Sequence, residues 1–279
     1  MLTKYIRHGP TGNEGSMING KTRVVGIVAD PIEHVRTPER FNAYMRELDC
    51  NAVLVPFHVR PENFAAFVAS LPAMCNLAGL VVTIPYKESV LPLCTELTDA
   101  ARQIGAVNVL RIDHESDALI GTNLDGEGFA CGLLGQDHSI RGQHIYIAGA
   151  GGAAKAIAHA LANSGAASIG IYNRTESRSR QLVQELRAHH PRLQVEIAGP
   201  VPEHCTLAVN ATALGLKPGD GLPFELDRLP VGALVAEVVM NPDMTPLLQA
   251  AAERGHSVHL GRHMVDAQIG AMARFFGLA

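Results

Sequence analysis

Few side chains in this sequence are suited to chemistry, and the first stands just past an apolar run. Gly79-Leu80-Val81-Val82-Thr83-Ile84-Pro85-Tyr86-Lys87 reads as a strand that Pro85 stops, with an amine beyond it. A lysine so placed can take or give a proton, and taken alone it equally reads as a solvated charge. Asp125 is the second, in Gly121-Thr122-Asn123-Leu124-Asp125-Gly126. A carboxylate between glycines can pair with an amine, and can equally hold a turn or cap a helix.

A third segment carries a stronger pattern: Ile145-Tyr146-Ile147-Ala148-Gly149-Ala150-Gly151-Gly152-Ala153-Ala154. A strand runs into a glycine-rich turn and then a helix. Gly149 permits the tight turn, Gly151 lets the backbone approach a pyrophosphate, and Ala154 takes the small position where helix meets strand. The helix start adds free N–H groups and a positive dipole. Gly149, Ala150, Gly151, Gly152 and Ala153 are therefore candidate dinucleotide contacts. The next strand ends at Asn173-Arg174-Thr175, with Arg178 a turn later. An NAD site usually ends that strand in Asp or Glu, for the ribose 2′-hydroxyl. Here no acid is present. Arg174 and Arg178 can pair with a 2′-phosphate and Thr175 can donate to it, although Arg178 also reads as a solvated helix charge. The pattern favours NADP, with NAD the alternative.

These groups need a scaffold, and the apolar periodicity supplies one. Val24–Val28, Ala52–Phe57 and Gly79–Val82 read as buried strands, and Val107–Leu110 with Ala118–Gly121 as a short pair. Helices are expected after Thr37-Pro38, with Thr37 as N-cap, after Pro61, and near Asp99–Ile104. A second series follows: helix Gly128–Leu134, strand His144–Ala148, helix Ala153–Asn163, strand Ser168–Tyr172, helix Glu176–His189, and strands Leu193–Ile197, Leu207–Asn210 and Leu234–Val239. Helix Thr245–Arg254, strand Ser257–Leu260 and helix His263–Phe276 complete it. Alternating strands and helices predict an α/β chain. An N-terminal α/β domain with a mainly parallel sheet would precede a doubly wound, Rossmann-type domain. Residues 1–20 lack periodicity and read as a flexible leader ahead of a possible start at Met17.

Composition narrows the classes. A chain of 279 residues suits two domains rather than one. A net charge of −4 speaks against a nucleic-acid partner, and no apolar run has bilayer length. The five cysteines are scattered without a Cys-x-x-Cys pair, so they read as small buried hydrophobes in a reducing cytoplasm. The thirteen histidines form no ligand spacing, so no metal is expected. His189-His190 closes a polar helix and reads as solvated surface.

From about Arg23 to Phe276 the chain resembles the shikimate/quinate dehydrogenase family. The matching segments are collinear: Gly26 to Asn42, Val82 to Lys87, Gly105 to Leu110, Asn123 to Gly126, the turn at Gly149, Asn173 to Arg178, Asn210 to Gly215, Asn241 to Leu248, and Met264 to Gln268. The resemblance implies a substrate domain over 21–124 with 262–279 and an NADP-binding domain over 125–261. It implies Lys87 and Asp125 as the proton-transfer pair. Thr83, Asn108 and Gln268 would meet the substrate's ring hydroxyls, and Thr37 its carboxylate. Asn173, Thr212 and Gly261 join the expected cofactor contacts. The implied reaction moves a hydride between NADP and a cyclic hydroxy acid of the shikimate type, in a cytoplasmic monomer or homodimer. A helix following Lys87 would place its positive end near the amine.

The chain also departs from the family pattern. Val35 stands where a serine is usual, Val81 where an asparagine is usual, and Met240 where a tyrosine is usual. These changes raise two alternatives: a dehydrogenase of quinate or an aminoshikimate-like compound, and a non-catalytic sensor. Retention of both Lys87 and Asp125 speaks against the sensor.

Overall fold

A computed structural model describes residues 18–33 and 35–279. Most of the leader expected over 1–20, including Met17, lies outside the described residues, as does His34. The first half of the chain is β1 (Arg23–Ala29), α1 (Thr37–Glu47), β2 (Ala52–His58), α2 (Pro61–Ser70), β3 (Leu77–Val82), β4 (Glu96–Leu97), α3 (Asp99–Ile104), β5 (Val109–Asp113), β6 (Ala118–Thr122) and α4 (Asp125–Leu134). Its sheet has the order β2-β1-β3-β5-β6-β4. β1 is parallel to β2 and β3, as the pattern predicts. The middle of the sheet then turns antiparallel, β3 to β5 and β5 to β6, before β4 pairs parallel with β6. The link His114–Asp117 explains part of this: it is too short for a crossover helix, so β5 and β6 must form a hairpin.

The second half is β7 (His144–Ala148), α5 (Gly152–Asn163), β8 (Ser168–Tyr172), α6 (Glu176–His189), β9 (Gln194–Ile197), β10 (Leu207–Asn210), β11 (Leu234–Glu237), α7 (Pro246–Glu253), β12 (Val258–His259) and α8 (Arg262–Phe275). Its sheet is parallel throughout, in the order β12-β11-β10-β7-β8-β9. Strand order reverses between β7 and β10, the switch point at which doubly wound sheets open a crevice.

Two cores follow from these layers. Ile147, Ile157, Leu161, Ile171 and Leu186 pack with Phe129 and Leu133 of α4. Val25, Ile27, Phe41 and Met45 pack with Ile269 and Met272 of α8 and with Phe276 at its C-terminal end. Helix α8 therefore belongs to the first sheet's core, although Met264 at its start packs into the second. Helices α4 and α8 cross almost backbone to backbone. A Cβ on Gly128 would lie 2.2 Å from Gln268 Cγ, and one on Gly132 2.9 Å from the His263 carbonyl.

Several local expectations change. Thr37 is the first residue of α1 rather than its N-cap; Arg36 holds the cap position without a side-chain cap bond. No α-helix follows Lys87: residues 88–90 form turns ahead of a short 3₁₀ segment, Leu91–Leu93, so no helix end faces the amine. Helix α4 begins at Asp125, three residues earlier than predicted, and this sets the carboxylate on a helix start. Cys75 and Cys131 are exposed, not buried. His190 is half-buried and hydrogen-bonded to His159 at 3.0 Å rather than free in solvent.

Candidate active site

Lys87 is held from both sides of its own residue. The neighbouring Tyr86 ring is buried and stacks on Phe64 with centroids 4.0 Å apart, while its hydroxyl donates to the Val59 carbonyl. Burial pushes the Tyr86 phenol up, so it stays a neutral donor. The Lys87 carbonyl accepts from Val107 N at 2.8 Å. The backbone is thereby fixed where the ammonium reaches Asp125 Oδ2 at 2.5 Å.

Asp125 is 4% exposed, and each of its oxygens is engaged. Oδ1 accepts from Asn108 Nδ2 at 2.7 Å and from Gln268 Nε2 at 3.4 Å. Asn108 is pinned in turn, because its Oδ1 accepts from Leu124 N at 2.8 Å. Charge, donor geometry and burial all favour one orientation of this carboxylate. Sequence reading passed over Asn123. It receives Asp125 N on Oδ1 at 3.1 Å and donates through Nδ2 to the Ala106 carbonyl at 3.1 Å. The signal was present, since Asn123 opens the same segment as Asp125 and is a residue that bonds backbone two positions on.

The structure thus joins Lys87, Asp125, Asn108 and Gln268, drawn from four separate stretches of chain. It does not join all the predicted substrate contacts to them. Thr37 is buried and Thr83 half-buried, and neither hydroxyl has a hydrogen-bond partner among the described residues. Thr83 follows β3 and lies two residues before Pro85, whose peptide bond is cis.

The pair lies against the glycine-rich turn's own helix. A Cβ on Gly126 would meet the Ala156 carbonyl at 2.2 Å, so α4 starts in direct contact with α5. Ala106, Ile104 and Ala156 form a small apolar cluster beside it. Gly149 has φ 119°, a left-handed conformation that glycine adopts without strain, and its missing side chain lets the Ala211 carbonyl approach. A Cβ at Gly151 would meet nothing within 4 Å, so space remains in front of the α5 N-terminus. Ala150 and Ala153 flank it. At the tip of β8, Asn173 Nδ2 donates to the Thr175 carbonyl at 3.0 Å. Arg174, Thr175 and Arg178 are exposed, and neither arginine has an ion pair among the described residues. Thr212 Oγ1 donates to Asn210 Oδ1 at 2.7 Å, and Gly261 sits against the Val239 carbonyl. An open helix start with two unpaired arginines at the next strand tip fits a phosphorylated dinucleotide.

Comparison with known proteins agrees with this layout. Family models match at residues 27–110, as the shikimate dehydrogenase substrate binding domain, and at 134–198, as shikimate/quinate 5-dehydrogenase. A protein of Lysinibacillus sphaericus named shikimate dehydrogenase (NADP(+)) is 37% identical over 251 residues, 88% of this chain and 89% of its own. This chain belongs to the shikimate dehydrogenase family. Solved family structures superpose along almost the whole chain. A shikimate dehydrogenase in complex with NADP+ is 30% identical with a TM-score of 0.85, covering 95% of this chain and 94% of its own. The Listeria monocytogenes shikimate 5-dehydrogenase in complex with shikimate and NAD is 29% identical with a TM-score of 0.82, covering 93% of each.

Proposed function

We propose that this chain is an NADP-dependent oxidoreductase that interconverts a ring hydroxyl and ketone on a cyclic hydroxy acid of the shikimate type. The observation that carries the proposal is the buried Asp125 carboxylate, 2.5 Å from the Lys87 ammonium and held by Asn108 and Gln268. A binding protein has no need of such a pair. The close relatives named as NADP(+)-dependent shikimate dehydrogenases support the substrate and the cofactor. We assign the substrate to residues 21–124 with 262–279 and the cofactor to 125–261.

In this reading Gly149, Ala150, Gly151, Gly152 and Ala153 hold the pyrophosphate by backbone N–H groups. Arg174, Thr175 and Arg178 hold the 2′-phosphate, and Thr212 and Gly261 shape the rest of the cleft. NADP, when bound, supplies the hydride acceptor. After releasing a proton to solvent, Lys87 as the neutral amine takes the hydroxyl proton on Nζ in oxidation, and as the ammonium it returns one in reduction. Asp125 orients that amine and accepts from the substrate. Asn108, Gln268 and Thr83 fix the ring, and Thr37 meets the carboxylate.

The deciding experiment is a panel of shikimate, quinate and related alcohols, each with NADP and with NAD, followed by reduced-nicotinamide absorbance. Shikimate with NADP should give the highest kcat/KM. Turnover with none of them would remove the reading, and a preference for quinate would move it to that branch of the family.

A further inference from the structure

Glu237, the last residue of β11, is fully buried and has no cation beside it among the described residues. Four donors surround it instead. Its Oε1 accepts from the backbone N–H groups of Val238 at 2.8 Å and Val239 at 3.0 Å. Its Oε2 accepts from the Thr245 hydroxyl at 3.0 Å. Asn210 Nδ2 lies 2.9 and 3.0 Å from the two oxygens. Burial pushes the carboxyl up, while these donors pull it back toward the ionised form. In this arrangement all four partners donate, and the ionised carboxylate can accept from each of them.

The donors lead to the cofactor side of the cleft. Asn210 Oδ1 accepts from both Thr212 N at 3.0 Å and Thr212 Oγ1 at 2.7 Å. The backbone between them is what the glycine-rich turn rests on, for a Cβ at Gly149 would lie 2.6 Å from the Ala211 carbonyl. Val239 plays the same part on the other side, since a Cβ at Gly261 would lie 2.3 Å from its carbonyl. One carboxylate therefore ties the loop after β10 to the loop after β11, and each loop supports a glycine that borders the cleft.

We propose that Glu237 is a positioning residue for the dinucleotide: its carboxylate fixes the two backbone strips on which Gly149 and Gly261 are seated. The inference rests on the cofactor reading above but not on the identity of the substrate. Glu237→Gln tests it selectively. The amide oxygen can still serve Val238 and Val239, and the amide nitrogen can donate to Thr245. The same nitrogen then faces Asn210 Nδ2, donor against donor, where Oε2 accepted at 3.0 Å, so the two-oxygen grip of Asn210 is reduced to its one bond to Oε1. Adding Asn210→Asp gives that nitrogen an acceptor and keeps the Thr212 bonds, at the cost of the donor to the Leu214 carbonyl and to Oε1.

NADPH binding is read from the emission of its own ring, in a chain that contains no tryptophan. Glu237→Gln should raise the NADPH Kd about tenfold or more, the scale of a buried donor left unpaired. The exchange variant Glu237→Gln/Asn210→Asp should bind NADPH at least about threefold more tightly than Glu237→Gln. With shikimate as substrate, the KM for NADP should rise in Glu237→Gln while the KM for shikimate stays within about twofold. A merely structural carboxylate would move both constants and would not be rescued by the exchange. Unchanged NADPH affinity in Glu237→Gln, or equal weakness in both variants, overturns the proposal. Should the single variant give no soluble protein, the exchange variant decides alone: it must give soluble protein that binds NADPH, and its failure to do so overturns the proposal. A wild type that binds NADPH without oxidising shikimate would defeat the substrate reading and leave this one to the titration.

Discussion

Lys87 and Asp125 differ in what their removal leaves behind. Lys87→Ala takes away the proposed proton carrier but leaves Asp125 with Asn108 and Gln268 as donors. The protein should stay folded while kcat falls about 100-fold or more, the usual range for a general acid–base group. Single-turnover kinetics at saturating substrate and cofactor checks this, and near wild-type turnover would refute the proton-transfer role. Arg174→Ala removes an unpaired cation at the β8 tip. It should weaken NADP by about 1.5–3 kcal/mol and leave NAD almost untouched, which calorimetric titration of both cofactors would decide. Val35 is half-buried on the cluster that contains Val81, so two positions where the family pattern is polar have turned apolar together. Val35→Ser should lower the KM for shikimate by supplying a hydroxyl for its carboxylate, and an unchanged or higher KM would point to another substrate. At this scale the sequence revealed the residue types but not their meeting. Lys87 and Asp125 stand 38 residues apart, a separation that implies no contact, and only the resemblance to a family paired them. Glu237 stayed hidden because a glutamate within the predicted strand Leu234–Val239 reads as facing solvent until its burial is known.

At the scale of elements, the glycines of α4 decide how closely it meets α8. A methyl at Gly128 would collide with Gln268 Cγ at 2.2 Å, Gln268 Nε2 at 2.7 Å and the Met264 carbonyl at 2.8 Å. Gly128→Ala should therefore destabilise the protein by about 1–3 kcal/mol and push Gln268 away from Asp125. The KM for substrate should rise more than the KM for NADP, and steady-state kinetics beside a urea melt separates the two effects. Strands and helices were legible where periodicity ran long, as in α5, α6 and the strands of the second sheet. Pairing direction was not. β3 is buried over its whole length and gives no alternation to distinguish parallel from antiparallel neighbours. The two-residue β4 is too short to leave a pattern. The helix expected after Lys87 failed because Pro85 and the turns that follow use the backbone bonds a first helical turn would need.

For the whole molecule, two buried histidines set the response to acid. His159 of α5 contacts Gln103 of α3 and His190, each at 3.0 Å, near Lys155, Glu185 and His189. Burial first, then His190, His189 and Lys155, lowers it to about 4. His259 packs among Phe129, His138 and His263, and burial with those two histidines also lowers it to about 4. Unfolded imidazoles titrate near pH 6.5, so the unfolded chain takes up protons that these rings refuse. Stability is then full above about pH 6.5 and falls as pH drops toward 4, by on the order of 3 kcal/mol per ring at most. Urea midpoints between about pH 7 and pH 5 should decline steadily, and His159→Gln should reduce the slope. A flat profile in the wild type would contradict this account. The two-domain plan was readable from the order of strands and helices, yet the role of α8 was not, because amphipathic spacing shows that a helix has a buried face without showing whose core it enters. That role has a consequence for biosynthesis. Gln268 reaches an Asp125 that lies 143 residues earlier in the chain. Ile269, Met272 and Phe276 close the core around Val25 and Ile27 from the far end of the same chain. During translation the first sheet must wait, one apolar face uncovered, until every strand of the second has been made. Every strand of the second sheet precedes α8 in the chain, whereas the first sheet's core is completed only when that helix emerges.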